Sequence, residues 1–223
     1  MLLRIFRFVA KFIVWFILIS LALVIAFRFV PVTYTATMLM DEHSVTRDWK
    51  PLSRIDRNMV SAVIAGEDGK FCSHNGFDTE AIEEALEERA RGERQRGAST
   101  ISQQTAKNVF LWQGGGWFRK ALEAWFTVLI ENLWDKRRIM EVYLNVAETG
   151  LGTYGVESGA QRYFGHSAAR LSADEASRIA AVLPSPKTRE AVNPRGFTAR
   201  YGNTIEARIG VVRRDGLDNC VYE

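Results

Sequence analysis

The sequence predicts an all-α domain that follows one membrane-spanning helix. Segments with the helical spacing of apolar residues recur between residues 53 and 214, whereas the strict alternation typical of strands is nearly absent. Loops rich in glycine or proline separate these segments. A chain of 223 residues is long enough for one domain with a substantial core and one appendage.

The appendage is the N-terminal segment, residues 1–31. Its stretch FIVWFILISLALVIAF, from Phe12 to Phe27, contains no charged residue. A spanning helix needs about 20 apolar residues, which residues 9–30 supply if Lys11 and Arg28 extend their charged ends to the headgroups. More basic residues precede the stretch than follow it closely, which favours a cytoplasmic N-terminus. The alternative, a cleaved signal peptide, is disfavoured by the length of the apolar run and by the lack of an A-x-A site.

The charge of the chain does not indicate nucleic-acid binding. Four of the 29 basic residues and none of the 26 acidic residues lie within residues 1–31, which leaves 25 basic against 26 acidic residues in the rest. The net charge of +3 therefore belongs to the anchor. The two cysteines, Cys72 and Cys220, lie far apart, so a disulfide is permitted outside the cytoplasm but not required. Cysteines and histidines form no cluster with metal-ligand spacing.

The predicted helices follow one another along the domain. The first begins at Ser53 with a pattern like a capping box, Ser53-x-x-Asp56. Further helical segments occupy residues 78–91, 99–111, 118–134, 137–148, 172–183 and about 198–214. The segment 118–134 has a broad apolar face that includes Phe118, which predicts a central buried helix. Capping boxes are expected at Thr100 with Gln103 and at Ser172 with Glu175, and residues 149–155 and 184–194 are expected to be loops.

Several polar motifs lie at the ends of these helices. They are EDGKFCSHNGFD (67–78), STISQQTAKN (99–108), RKALE (119–123), EVYLN (141–145), and YG and YFG further on. Each alone has a purely structural interpretation. Glu67 and Asp68 would simply finish a helix, and Glu123 would be the i,i+4 partner of Arg119. Such interpretations do not explain why these motifs occur together and in this order.

In this order the motifs resemble glycosyltransferase family 51, the peptidoglycan glycosyltransferases, and in particular the monofunctional biosynthetic type. The pattern E-D-x-x-F-x-x-H-x-G-x-D occupies residues 67–78 without a gap, and S-T-I-[ST]-Q-Q occupies residues 99–104. The resemblance runs from about Leu52 to Pro194. It implies a lysozyme-like helical glycosyltransferase domain over residues 52–223, after a juxtamembrane linker at residues 32–51.

The resemblance also implies a reaction. The family polymerises lipid II into linear glycan strands by inverting β-1,4 transfer, with release of undecaprenyl diphosphate. Glu67 and Glu123 match its two catalytic glutamates, and Glu67 is expected to take the proton of the attacking sugar hydroxyl. Lys107, Arg119 and Lys120 are expected to stabilise the departing diphosphate.

Other residues of the motifs are expected to bind substrate or to support the cleft. This group comprises Asn108, Ser99, Thr100, Gln103 and Gln104. For Gln103 and Gln104, support of the cleft and contact with a sugar are equally open. His74 and Asp78 are expected to hold the loop. Glu123 either orients the cations or holds a divalent ion, Mg²⁺ or Mn²⁺, against the phosphates, and no sequence pattern demands that metal.

The expected location is the bacterial inner membrane, with a single pass and a periplasmic catalytic domain. The expected partners are lipid II, the growing lipid-linked glycan chain, the membrane and other cell-wall synthesis or division proteins. The apolar stretches 30–39 and 109–118 are expected to contact lipid, because tryptophan and phenylalanine are enriched at membrane interfaces.

Two alternatives come from other functional classes. A lysozyme-like hydrolase or lytic enzyme would also use a glutamate, but it would not need a cation cluster for a diphosphate. A non-catalytic membrane-anchored scaffold would not need Glu67 and Glu123 in complete motifs. A transpeptidase module is not expected, since S-x-x-K with its partner motifs does not occur.

Overall fold

The computed structural model describes residues 1–92 and 97–223, and it confirms the all-α prediction. The helices of this part are α1 (Leu2–Phe29), α2 (Ala36–Leu39), α3 (Arg57–Glu67), α4 (Thr79–Ala90), α5 (Ile101–Phe110), α6 (Gly116–Leu133), α7 (Lys136–Val146), α8 (Val156–Phe164), α9 (Ala173–Val182), α10 (Gly196–Arg214) and α11 (Asn219–Tyr222). The strands are β1 (Thr46–Arg47), β2 (Glu148–Gly150) and β3 (Thr153–Tyr154).

The helix α1 is long and apolar enough to cross a membrane, the one such helix in the described part of the chain. Most of its apolar side chains are exposed, but Ser20 and Val24 are buried against the domain. The indole Nε1 of Trp125 donates to Ser20 Oγ at 3.1 Å, and that of Trp134 donates to the Val24 carbonyl at 2.8 Å. The C-terminal half of the anchor is therefore packed against α6 and the residue after it.

Residues 32–51, expected to be a linker, pack on the domain instead. Val32 and Met38 are buried in the hydrophobic core. The strand β1 pairs in parallel with β3, and β2 pairs with β3 antiparallel, which gives the order β1-β3-β2. Strands of two or three residues are too short to show alternation in a sequence, which explains why this small sheet was not predicted.

The helix α3 differs from its prediction at the N-terminus. It begins at Arg57 rather than at Ser53, because Asp56 is the N-cap and accepts a hydrogen bond from the Asn58 N–H at 2.8 Å. Residues 52–54 form a separate 3₁₀ turn. Residues 59–64 of α3 are all buried, and the helix packs against α9 and α10. α3 is therefore the central helix, and Glu67 is its last residue.

The helix α6 is less buried than its sequence predicts. Phe126, Leu129 and Ile130 lie in the core, but Phe118 is 70% exposed, so its expected place on a buried face is wrong. Phe118 lies in the first turn, where α6 extends beyond the core.

The two predicted capping boxes are confirmed, at Thr100 with Gln103 and at Ser172 with Glu175. Residues 184–194 form no helix or strand, as their three prolines predict. The helix α8 was missed. It begins after Gly155, which has a positive φ of 81° and no side chain to mark the start. A Cβ at Gly155 would lie 2.8 Å from the Asn145 carbonyl oxygen, so this tight entry requires glycine.

The C-terminal residues are bonded to the central helix and to the loop after it. Cys220 forms a disulfide with Cys72, in the loop after Glu67, with 5.5 Å between the Cα atoms. The fully buried carboxylate of Asp218 accepts hydrogen bonds from Arg57 Nε at 3.0 Å and Nη2 at 2.7 Å. The C-terminal turn therefore contacts both the start of α3 and the loop that follows its end.

Candidate active site

Glu67 and the residue before it are held by two neighbouring helices. The Oε2 atom of Glu67 accepts a hydrogen bond from Gln104 Nε2 of α5 at 2.9 Å. The preceding carbonyl, that of Gly66, accepts one from the Tyr201 hydroxyl of α10 at 2.6 Å. The Oε1 atom is buried and has no hydrogen-bond partner in the described chain. One oxygen is thus positioned by the protein while the other keeps its capacity to accept a proton.

Burial raises the pKa of Glu67 above its ordinary value of 4.5. The hydrogen bond from Gln104 and the positive charge of Arg189 oppose this effect by favouring the ionised form. A carboxylate with a raised pKa is a stronger base than an exposed glutamate, as proton abstraction requires.

The loop of residues 68–78 is tied to the start of α5. The buried Asp68 carboxylate accepts from His74 Nε2 at 2.9 and 3.0 Å and from the Ile101 N–H at 2.9 Å. The Gly76 N–H donates to His74 Nδ1 at 3.1 Å, which assigns the proton of the neutral ring to Nε2. Asp78 caps α4 by accepting from the Ala81 N–H at 3.1 Å. His74 and Asp78 hold the loop in this arrangement, as expected.

Gly76 allows this loop to lie close to α6. Its φ is +90°, and a Cβ would come within 2.7 Å of Thr127 Cγ2. The Thr100 hydroxyl donates to the Gly76 carbonyl at 2.7 Å. The loop, α5 and α6 therefore meet where only glycine fits.

Two cations and Glu123 form a cluster on α6. Glu123 is only 3% exposed, and its Oε2 pairs with Arg119 Nη1 at 2.6 Å while its Oε1 pairs with the Lys120 ammonium. Lys120 also donates to Ser99 Oγ at 3.3 Å. The Arg119 Nε is buried and has no partner in the described residues. Of the two roles expected for Glu123, this arrangement supports the orientation of cations.

The charges of Glu67 and Glu123 both act on Lys107. Burial lowers its pKa, while the negative charges of Glu123 and Glu67 oppose that effect. The side chain of Lys107 forms no hydrogen bond or ion pair within residues 1–92 and 97–223. Its ammonium is therefore available to an anionic ligand.

A cavity of about 450 Å³ lies beside Gln104, the side chain that donates to the Glu67 carboxylate. It is lined by Gln104, Lys107, Asn108, Gln113, Tyr143, Ala147, Glu148, Leu183, Pro184, Ser185, Pro186, Lys187 and Thr188. Gln104, which holds Glu67, also accepts a hydrogen bond from the Tyr143 hydroxyl at 3.2 Å. A volume of this size is typical of small-molecule sites. Lys107 and the amide that positions the Glu67 carboxylate thus line one cleft. A second cavity, of about 500 Å³, lies beside Lys50, Arg54 and Glu157, where α3 begins rather than where it ends.

Some of the residues predicted to bind substrate line the cavity, and others are buried or contact charged side chains. Thr100 and Gln103 are buried, and the polar atoms of their capping box are used within α5, so the structure supports bracing. Gln104 positions Glu67, and Ser99 contacts Lys120. Asn108 lines the cavity.

Sequence reasoning missed several residues of the cleft. Tyr143, Glu148 and Lys187 line it from α7, β2 and the loop after α9, and the charge of Arg189 from the same loop acts on Glu67. The tyrosine belongs to the EVYLN motif, from which no role was predicted for this side chain. The loop residues carry no local signal, because their proximity to Glu67 arises only from tertiary packing.

The side chains present do not fit a metal ion held by the protein alone. Both oxygens of Glu123 are engaged by cations. The described part of the chain offers no group of three or more His, Cys, Asp or Glu side chains able to hold one.

A positioned carboxylate and a cluster of cations, on a helical scaffold, are the groups that a group-transfer enzyme uses as base and as charge stabilisers. The sequence matches the family model described as Transglycosylase over residues 34–208, and the chain belongs to this family. It is therefore a glycosyltransferase. The matched region begins within the segment 32–51 that packs on the domain.

Curated relatives are similar over most of the chain. A biosynthetic peptidoglycan transglycosylase of Caulobacter vibrioides is 49% identical over 201 residues, which cover 89% of this chain and 88% of the relative. One from Rhodospirillum centenum is 44% identical over 224 residues, covering 99% and 97%. One from Pseudomonas aeruginosa is 49% identical over 205 residues, covering 87% and 88%.

Proposed function

We propose that this enzyme polymerises lipid II into linear peptidoglycan strands by inverting β-1,4 glycosyl transfer. The names of the relatives support peptidoglycan as the product. The observation that carries the mechanism is the position of Glu67, whose hydrogen-bond donor Gln104 lines the same cavity as Lys107. The side chain that positions the base and a cation for the leaving group thus line one cleft.

In the proposed step, a sugar hydroxyl of the acceptor attacks the anomeric carbon of the donor. Glu67 Oε1 takes the hydroxyl proton as the new carbon–oxygen bond forms, because this oxygen has no partner in the protein. The bond from the anomeric carbon to the phosphate oxygen breaks on the opposite face, so the configuration inverts. Undecaprenyl diphosphate leaves with the bonding electron pair.

The cation cluster would absorb the charge of that diphosphate. The side chain of Lys107 has no partner in the described chain, and the Arg119 Nε–H is an unpaired donor. Glu123 holds the guanidinium of Arg119 and the ammonium of Lys120 in place. Preorganised cations stabilise developing charge without reorganisation. If a divalent ion takes part, it would meet the phosphates rather than a ligand cage of the protein, and a chelator tests this.

The anchor would place the cleft on the outer side of the membrane, with the N-terminus in the cytoplasm. Trp117 and Phe118 at the start of α6 are 87% and 70% exposed. The same helix packs along α1, with 6.1 Å between the ring centroids of Phe16 and Trp125. Exposed aromatic side chains beside a membrane-spanning helix suit the bilayer interface, where a lipid-linked substrate is confined.

The deciding experiment supplies purified lipid II to the full-length enzyme in detergent, with and without a chelator. The proposal expects glycan strands to lengthen with time. Finished strands supplied alone should remain intact. Shortening of finished strands, without growth from lipid II, would identify a hydrolase instead.

A further inference from the structure

Glu148 is an acid of the cleft that the mechanism above does not use. It begins β2, shortly after α7, and lines the cavity that Gln104 and Lys107 also line. Its Oε1 is buried and has no hydrogen-bond partner in the described chain, while the Gly152 N–H favours the ionised form of the carboxyl group. A buried carboxylate oxygen without a donor costs free energy, which a donor on a bound ligand would recover.

Lys187 lines the same cavity from the loop after α9. Its positive charge lowers the pKa of Glu148 and thereby opposes the effect of burial. The two side chains nevertheless form no ion pair, and Lys187 has no hydrogen-bond partner within residues 1–92 and 97–223. A negative and a positive group thus border one cavity without neutralising each other.

The remaining lining suits a neutral, hydroxyl-rich ring. Side-chain amides come from Gln104, Asn108 and Gln113, while Pro184 and Pro186 supply apolar surface for the C–H faces of a sugar. A hydroxyl group can donate one hydrogen bond and accept others. It can therefore donate to a carboxylate and accept from an ammonium group at the same time. A free phosphate would suit Lys187 but would be repelled by Glu148.

We propose that Glu148 and Lys187 bind one sugar ring of the substrate, whose hydroxyl donates to Glu148 and accepts from Lys187. The inference rests on the proposed function, because it takes that ring to be part of the lipid-linked glycan. Glu148 and Lys187 are recognition residues in this arrangement. The proton transfer remains with Glu67.

The test compares steady-state kinetics on lipid II for the full-length enzyme, Glu148→Gln, Lys187→Gln and the double variant. Each single variant should raise KM about tenfold, because a hydrogen bond to a charged group is lost, and should leave kcat nearly unchanged. The double variant should cost less than the product of the single effects, since either change already breaks the shared contact. Glu190→Gln, an exposed acid of the same loop, is the matched control and should behave as the unmodified enzyme.

A second measurement does not depend on polymerisation. Binding of a soluble N-acetylglucosamine oligomer, followed by saturation-transfer NMR, should weaken in Glu148→Gln and persist in Glu67→Gln. An unchanged KM and unchanged oligomer binding in Glu148→Gln would overturn the inference, as would fully multiplicative effects in the double variant. Failure of the unmodified enzyme to extend lipid II would instead overturn the proposed function, while the oligomer experiment would still decide the role of Glu148.

Discussion

The catalytic proposal depends most on a single side chain, Glu67. Replacing it by Gln keeps the shape of the side chain but removes the base. Activity on lipid II should fall at least about 100-fold, the usual contribution of a general base. The variant should not unfold more easily than the unmodified enzyme, because burial disfavours the charge that the substitution removes. Strand growth and thermal unfolding measure the two effects, and retained activity would contradict the assignment.

The pH dependence of the enzyme should report the same carboxyl group. Since the pKa of Glu67 is raised, the protonated and inactive form persists to a higher pH than for an exposed glutamate. The acidic limb of the kcat/KM profile, which reports the free enzyme, should therefore lie above 4.5, the ordinary value. The sign for stability is opposite: this group favours the folded state fully below its unfolded pKa, and the benefit is lost as the pH rises through the folded pKa. A limb at or below the ordinary value would argue against Glu67 as the base.

At the scale of elements, the loop after α3 depends on glycine at position 76. In Gly76→Ala, a Cβ at a φ of +90° would approach Thr127 within 2.7 Å. The free energy of unfolding should fall by about 1–3 kcal/mol, as for strained backbone positions. Denaturation in urea measures it, with Gly69→Ala as the control, because a Cβ there meets nothing within 4 Å. Equal loss in both variants would show that the contact with α6 is unimportant.

The same elements show what a sequence can predict. The cap of α5 was predictable because Thr100 and Gln103 lie three residues apart and bond to each other's backbone. The N-cap of α3 was misplaced by three residues because both Ser53 and Asp56 are good caps, and only packing selects Asp56. Glu148 and Lys187 could not be paired in advance, since 38 intervening residues (149–186) must fold before the two side chains share a cavity. The motifs predicted which residues act as the base and the cations, whereas the cleft forms only when distant segments pack together.

At the scale of the whole molecule, the disulfide should contribute to stability. It closes a separation of 148 residues between Cys72 and Cys220. Replacing both cysteines by alanine should lower the free energy of unfolding by about 2–5 kcal/mol. Chemical denaturation of the oxidised protein and of this variant compares them, and reductant should affect only the oxidised protein. Mass spectrometry without reductant checks the pairing, and a free thiol at either position would contradict it.

The packing of α1 has a consequence for the geometry of catalysis. Trp134 contacts Val24 and Trp125 contacts Ser20, which lie four and eight residues before Arg28. At 1.5 Å per residue, these contacts lie about 6 and 12 Å along the helix from that basic residue. In the membrane topology proposed above, this part of α1 would lie in the outer leaflet, and the contacts would hold the domain against it. The height of Glu67 above the lipid tails would then be set by helix contacts, so every donor that diffuses past would meet it at the same depth.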